Sequence, residues 1–251
     1  MCLTACNNYI IYLHKSAMRQ ALPILSFLIA ATAMYLILVN GIELPSEYEI
    51  FAALVSIAAI GGLSIAGLFE KSIIRYAYFS AAIQFGYFML DASTALLIDK
   101  SVWFAVIQFI NFVIAGGLFA IVISLLYNTV RKEQVPEYSG LYEKNQLLGL
   151  VLAVSCLSLG GMPGFNIFVG EYLIYGSLFA VHPALTLMAV FASLVAFIFY
   201  FRICYVMFAG TESRKINCGI ITKAVLVVLA LLTVGLGMLP QILFRVLEMY
   251  I

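Results

Sequence analysis

The stretch LSLGGMPGFNIFVGEYLIYGSLF, residues 157–179, sets Gly160, Gly161, Pro163 and Gly164 inside an almost wholly apolar run. A carboxylate, Glu171, follows about two helical turns on. This combination suits the movement of an ion through a membrane. Pro163 has no N–H to donate and the glycines accept non-helical dihedrals, so a helix here is predicted to break at Gly161, Pro163 and Gly164. A break in hydrocarbon frees carbonyl and N–H groups that need water or polar partners, which confines it to a protein interior or a cavity. Broken helices recur at ion sites in transporters for that reason. A carboxyl at this depth costs on the order of 3 kcal/mol to insert, and one whose protonation a neighbour can switch is a suitable proton site. The plainer alternative for Glu171 is a neutral acid hydrogen-bonded to the next helix. Gln84, Asp91, Gln108 and Asn111 also fall at membrane depth, where each must face a partner or a water-filled cavity. Asp91 lies in the outer part of its segment and reads either as a channel-exit acid or as a side chain snorkelling to the interface.

The elements that must position these residues follow from composition. Of 251 residues, 65% are hydrophobic and 10% charged, against about half and a quarter in soluble domains. The expected class is an all-α integral membrane protein lying in a lipid bilayer. A net charge of +1 gives no basic surface for nucleic acid. The five cysteines form no CxxC pair or CxxCH haem site, and Cys156 and Cys204 read as small buried hydrophobes. No phosphate-binding loop, dinucleotide fingerprint, catalytic pair or cofactor motif is present, so no cofactor is expected in this chain. The first twenty residues lack the apolar core and cleavage site of a signal peptide.

Apolar segments of about 20 residues occur near 21–40, 50–69, 76–97, 102–127, 146–180, 184–208 and 219–247. The expected architecture is therefore about seven transmembrane helices, one broken mid-membrane, forming a single domain over 21–251 behind a polar or interfacial segment 1–20. With the N-terminus cytoplasmic, Lys15, Arg19, Lys71, Arg75, Arg131, Lys132, Lys144, Arg202, Arg214, Lys215 and Lys223 share the inner side. Lys100, Arg245 and the acidic loop ELPSEYE, 43–49, are then outside, with the C-terminus. That bias fits the positive-inside rule. Dividing 146–180 into two spans would move the basic loop 209–223 outside, so one broken span is favoured. Gly61–Gly62 and Gly116–Gly117 are expected to admit close helix approach. Tyr172 and Tyr175 read as packing or belt residues, His182 as a helix-start residue and Trp103 as an interfacial anchor.

LSLGGMPGFNIFVGEYLI resembles the motif around the broken twelfth helix of the antiporter-like subunits of respiratory complex I, of Mrp-type antiporters and of membrane-bound hydrogenases. Its glutamate is most similar to the chain-M type, where other types carry lysine. RYAYFSAAIQFGY, 75–87, resembles the start of the tenth helix, with Gln84, Gly86 and Tyr87 matching. VIQFINFVIAGGLF, 106–119, resembles the eleventh, with Asn111 where many members have histidine. VPEYSGLYEKN, 135–145, resembles the loop before the broken helix, and His14 and Tyr35 match motifs around the eighth. The likeness runs from about residue 12 to 248 and corresponds to the last seven of the family's roughly fourteen helices, half of the antiporter-like fold with its inverted repeats. The family's eighth-helix lysine falls on Ala31, beside Thr32, and Met18 stands where an "AP" proline is usual.

The resemblance implies a non-catalytic subunit of a redox complex that moves H⁺ or Na⁺ when electrons pass through its neighbours. Glu171 would be the exchange site, Asn111 and Gln84 would hold waters beside it, and Asp91 would lie on the exit. Iron–sulfur clusters or quinone are expected in partner subunits, both membrane and peripheral, and the membrane is the cell membrane or, in an organelle, the mitochondrial inner membrane. The alternative is a degenerate, non-pumping chain that bridges other membrane subunits; an independent solute carrier is disfavoured by the want of a convincing internal repeat.

Overall fold

A computed structural model describes residues 22–37, 48–97, 103–210, 216 and 219–241. The expectations for segment 1–20, for Lys100, Arg214, Lys215 and Arg245, and for residues 43–47 fall outside these, as does the side chain of Trp103. The helices are α1 (Leu22–Ile37), α2 (Glu49–Leu68), α3 (Ile73–Leu97), α4 (Trp103–Val130), α5 (Leu141–Lys144), α6 (Gln146–Leu159), α7 (Asn166–Val181), α8 (Pro183–Phe208) and α9 (Ile220–Met238). A 3₁₀ turn, Val135–Tyr138, precedes α5. Among the described residues there is no strand beyond one isolated bridge, Ser72 with Gln134.

Each expected segment contains helix. α8 starts at Pro183, a first-turn position where the missing N–H is no loss. The last segment is expected to run to 247; α9 ends at Met238, residues 240 and 241 are helical again after a one-residue interruption at Leu239, and 242–247 lie outside the described residues. Glu49–Leu68, Ala105–Val130, Pro183–Phe208 and Ile220–Met238 are long and apolar enough to cross a bilayer on length and composition alone. α1, α6 and α7 are shorter. α3 has the length, but Arg75, Gln84 and Asp91 lower its apolarity, and Gln84 and Asp91 are fully buried. The chain is a multi-pass integral membrane protein.

α3 and α4 form the heart of the bundle: α3 packs on α2, α4 and α7, and α4 also on α6, α7 and α9. α9 buries only Leu226 and Thr233, and α2 and α8 turn Phe51, Phe191 and other large apolar side chains outward, as suits a surface solvated by lipid. Of the expected small-residue contacts, Gly61 packs against Ala192 and Gly117 against Phe27, while Gly62 faces open space.

One end of the bundle is laced by its loops. The Glu70 carboxylate accepts the N–H groups of Lys71 at 2.7 Å and Ser72 at 2.8 Å, capping the entry to α3, and pairs with Arg75 at 3.2 Å. The Ile73 N–H donates to the Glu133 carbonyl and the Val135 N–H to the Lys71 carbonyl, each at 2.8 Å, tying the α2–α3 and α4–α5 connections together. Arg202 of α8 reaches across to donate to the Glu70 carbonyl at 2.8 Å. Lys132, paired with Glu137 at 3.4 Å, lies in the same lacework. We expect Arg202→Met, which keeps the stem but removes this charged donor, to cost about 1–2 kcal/mol; a lowered thermal midpoint of the detergent-solubilised protein measures it.

Candidate functional site

Between α6 and α7 the chain leaves helical geometry. Gly161 and Gly164 take left-handed backbone angles, φ +72° and +94°, which side-chain-bearing residues adopt at a cost. Phe165 is extended (φ −113°, ψ 159°) and α7 restarts at Asn166. The first half of the break is closed by tight turns, Gly161 N–H to the Ser158 carbonyl at 2.9 Å and Met162 N–H to the Leu157 carbonyl at 3.0 Å.

Side chains from neighbouring helices meet the freed Leu159 carbonyl and tie the start of α7 to α4. Gln84 of α3 donates through Nε2 to the Leu159 carbonyl at 2.9 Å. Asn111 of α4 donates to the Asn166 carbonyl at 2.8 Å, and Asn166 donates back to the Asn111 carbonyl at 3.1 Å. Ser158 donates to Asn166 Oδ1 at 2.7 Å, so Asn166 joins the two half-helices to α4. Gln84 and Asn111, expected to hold waters, thus direct amide N–H groups to backbone carbonyls on the two sides of the break, at the end of α6 and the start of α7. Their oxygens, Gln84 Oε1 and Asn111 Oδ1, have no hydrogen-bond partner among the described residues.

Glu171 is buried on α7 with its carboxyl folded back onto the break. A Cβ placed on Gly161 would stand 2.2 Å from Glu171 Oε2. One turn of the same logic serves Gln108 of α4: a Cβ on Gly170 would stand 2.3 Å from its Oε1. Both polar heads sit where only glycine leaves room. The Tyr87 hydroxyl neighbours Glu171 and donates to Ser193 Oγ of α8 at 2.9 Å; Ser193 is also hydrogen-bonded to the Tyr175 hydroxyl. Asp91 lies one turn beyond Tyr87 on α3, within electrostatic range of Glu171 and Tyr175. It is fully buried, so it does not snorkel to the interface.

Glu171 Oε1, both Asp91 carboxyl oxygens, Thr94 Oγ1 and both polar atoms of Gln108 also lack hydrogen-bond partners among the described residues. Buried polar atoms are rarely left so, because each costs about 1–3 kcal/mol unpaired. Their concentration around Glu171 and Asp91 marks an interior fit for water, protons or a small cation. Among the described residues no group of three or more His, Cys, Asp or Glu side chains is placed to hold a metal.

Sequence reasoning missed Ser158, Asn166 and Ser193. It also set Tyr175 aside as packing, whereas its hydroxyl is engaged; Tyr172, 66% exposed, does face outward. The spacing Tyr87-x₃-Asp91 and Glu171-x₃-Tyr175 was a usable signal, since residues four apart share a helix face.

Residues 13–196, which include the break and all these side chains, match the family described as NADH:quinone oxidoreductase/Mrp antiporter, TM. The chain belongs to this family. NADH-quinone oxidoreductase subunit N of Bacillus anthracis is 30% identical over 198 residues, 76% of this chain and 38% of that protein. A chain of respiratory complex I from Thermus thermophilus with bound aureothin superposes with a TM-score of 0.66 at 25% identity, over 78% of this chain and 44% of that one. A chain of the Mrp complex from Dietzia sp. gives 0.67 at 17% identity over 78% and 45%, a likeness of fold. The chain thus spans less than half the length of the family members it matches. The Bacillus relative is a subunit N, so likeness to the chain-M type rests on the motif glutamate alone.

Gly161→Ala tests the seat of the acid. It strains a left-handed position and pushes the Glu171 carboxyl aside, and should cost about 1–3 kcal/mol. In a Glu171→Ala background part of that cost should vanish, because the two residues contact each other; a double-mutant cycle of thermal stabilities reads the coupling.

Proposed function

We propose that this chain is a seven-span membrane subunit of a complex I-like respiratory assembly, and that Glu171 is its exchange site for a translocated H⁺ or Na⁺. The observation that carries the reading is the buried Glu171 carboxyl folded onto the helix break, within electrostatic range of Asp91, with Glu171 Oε1 and both Asp91 oxygens lacking hydrogen-bond partners among the described residues. A chain that kept the break for shape alone would gain by replacing such acids with apolar residues, since a buried polar group without a partner is destabilising. In this reading Asp91 lies on the path of the ion, Gln84 and Asn111 hold the broken backbone open with their N–H₂ groups, and their oxygens face the ion's waters. Gly161, Pro163 and Gly164 make the break. The N-terminus and the laced, basic end face the cytoplasm or matrix and the C-terminus faces outward. Electrons pass through iron–sulfur clusters or quinone in partner subunits, and the relatives' membership of NADH-quinone oxidoreductase supports such partners.

The second reading, a non-pumping bridge between other membrane subunits, is favoured by Ala31. This small residue of α1 packs on the core where the family resemblance places a lysine.

Glu171→Gln separates the two. Gln keeps size and hydrogen bonding but releases no proton. In the assembled complex, translocation per electron in membrane vesicles should fall by about 10²-fold or more while assembly is retained. Assembly, rate and ratio all unchanged would leave only the bridging reading.

A further inference from the structure

We propose that the hydroxyls of Tyr87, Ser193 and Tyr175 form a proton relay joining Glu171 to Asp91, so that the ion carried at this site is the proton. The inference rests on the reading of Glu171 as an exchange site and names its substrate. Three helices contribute. α3 presents Tyr87 and Asp91 four residues apart, α7 presents Glu171 and Tyr175 four apart, and residues at that spacing share a face. α3 and α7 both run away from the laced end, so in each pair the second residue lies on the order of 6 Å farther out. Tyr87 is level with and neighbours Glu171, and Tyr175 is level with and in electrostatic range of Asp91. Ser193 of α8 links the two tyrosines, accepting from Tyr87 at 2.9 Å and bonded to Tyr175. The two acids at the ends of this chain of hydroxyls keep unpartnered oxygens, Glu171 Oε1 and both of Asp91, among the described residues.

The transfer involves no oxidation. The O–H bond of protonated Glu171 breaks as its proton passes to the Tyr87 oxygen. Tyr87 gives its own proton to Ser193, Ser193 gives one to Tyr175, and Tyr175 gives one to the Asp91 carboxylate through an intervening water, which the unpartnered Asp91 oxygens are free to bind. Each hydroxyl gains one proton and loses one, and the negative charge moves from Asp91 to Glu171. Rotation of the three hydroxyls resets the chain. The observed donation from Tyr87 to Ser193 is the starting orientation for outward transfer. Sodium cannot travel this way, because hydroxyl groups bound to helices hand on protons and not metal ions.

The test uses the whole protein in its native membranes, with Tyr87→Phe, Tyr175→Phe, Ser193→Ala and Ser193→Thr, and with Glu171→Gln as reference. Each Phe variant removes one oxygen and keeps the ring. Membrane content of the chain is read by immunoblot, and proton movement by a pH-sensitive dye during electron transfer in sodium-free vesicles. We expect Tyr87→Phe, Tyr175→Phe and Ser193→Ala each to slow proton movement at least about tenfold, and Ser193→Thr, which keeps a hydroxyl, to restore most of it. A purely structural role for Ser193 predicts the reverse order, since Thr adds a methyl to a packed site and Ala does not. If Glu171→Gln stops proton movement but the Phe variants and Ser193→Ala run at the parent rate, the relay is wrong and the exchange site stands. If Glu171→Gln is also without effect, the exchange-site reading itself has failed. Translocation that requires added sodium overturns the relay whatever the variants do, and Phe variants that do not accumulate leave the Ala-against-Thr contrast at Ser193 to decide it.

Discussion

A backbone carbonyl or N–H stranded in hydrocarbon has no solvent to turn to, and the interior of this protein is organised around one place where that happens. The break from Gly160 to Phe165 strands groups that a continuous helix would have paired. Gln84 on the Leu159 carbonyl answers it directly, while Asn111 and Asn166 on each other's carbonyls and Ser158 on Asn166 lock the two half-helices to α4. Gln84 and Asn111 belong to α3 and α4, the two most enclosed helices, so the break and the bundle core fix one another. A polar side chain recruited to close a backbone valence brings a second polar atom with it. The oxygens of Gln84 and Asn111 are such atoms, and they help make the interior polar enough to tolerate Glu171 and Asp91.

Two effects favour glycine at position 161. Its φ of +72° alone would favour glycine by about 1 kcal/mol. The closer constraint is the Glu171 carboxyl, which would be 2.2 Å from any Cβ there. Steric contact with a buried polar head adds to a modest dihedral preference and exceeds it. Gly170 makes the point separately: it lies inside α7 with ordinary helical geometry, and only the Gln108 amide explains the absence of a side chain. Glycine in this protein serves to seat polar heads as much as to turn the chain.

Much of this was legible before any coordinates. Segment positions followed from apolar runs, and the break from Gly-Gly-Met-Pro-Gly, because these signals are local and strong. The ends of elements were less so: Pro240 interrupts the last helix at Leu239, and helix resumes at residues 240–241. Glu171, Gln84, Asn111 and Asp91 stood out as polar residues in apolar runs. What each one touches depends on which helices face each other, and that is a tertiary fact. Serines and tyrosines escaped notice for a physical reason. Ser56, Ser64 and Ser93 return their hydroxyls to their own helix and carry no further meaning, so nothing in composition distinguished Ser193 or Ser158 from them.

The position of α3 relative to α8 ties the laced end to the buried acids. Four contacts span the antiparallel pair from its laced end inward: Arg202 on the Glu70 carbonyl, Tyr76 stacked on Phe199 with ring centres 4.0 Å apart and its hydroxyl on the Phe199 carbonyl, Ser80 with Tyr200 at 2.9 Å, and, deepest, Tyr87 with Ser193. A one-turn slip of either helix would break every one of them. The hydroxyls near Glu171 are therefore held in line by aromatic packing and a loop far from them, which is how a group that must give and regain a proton can do so without moving the helix that carries it.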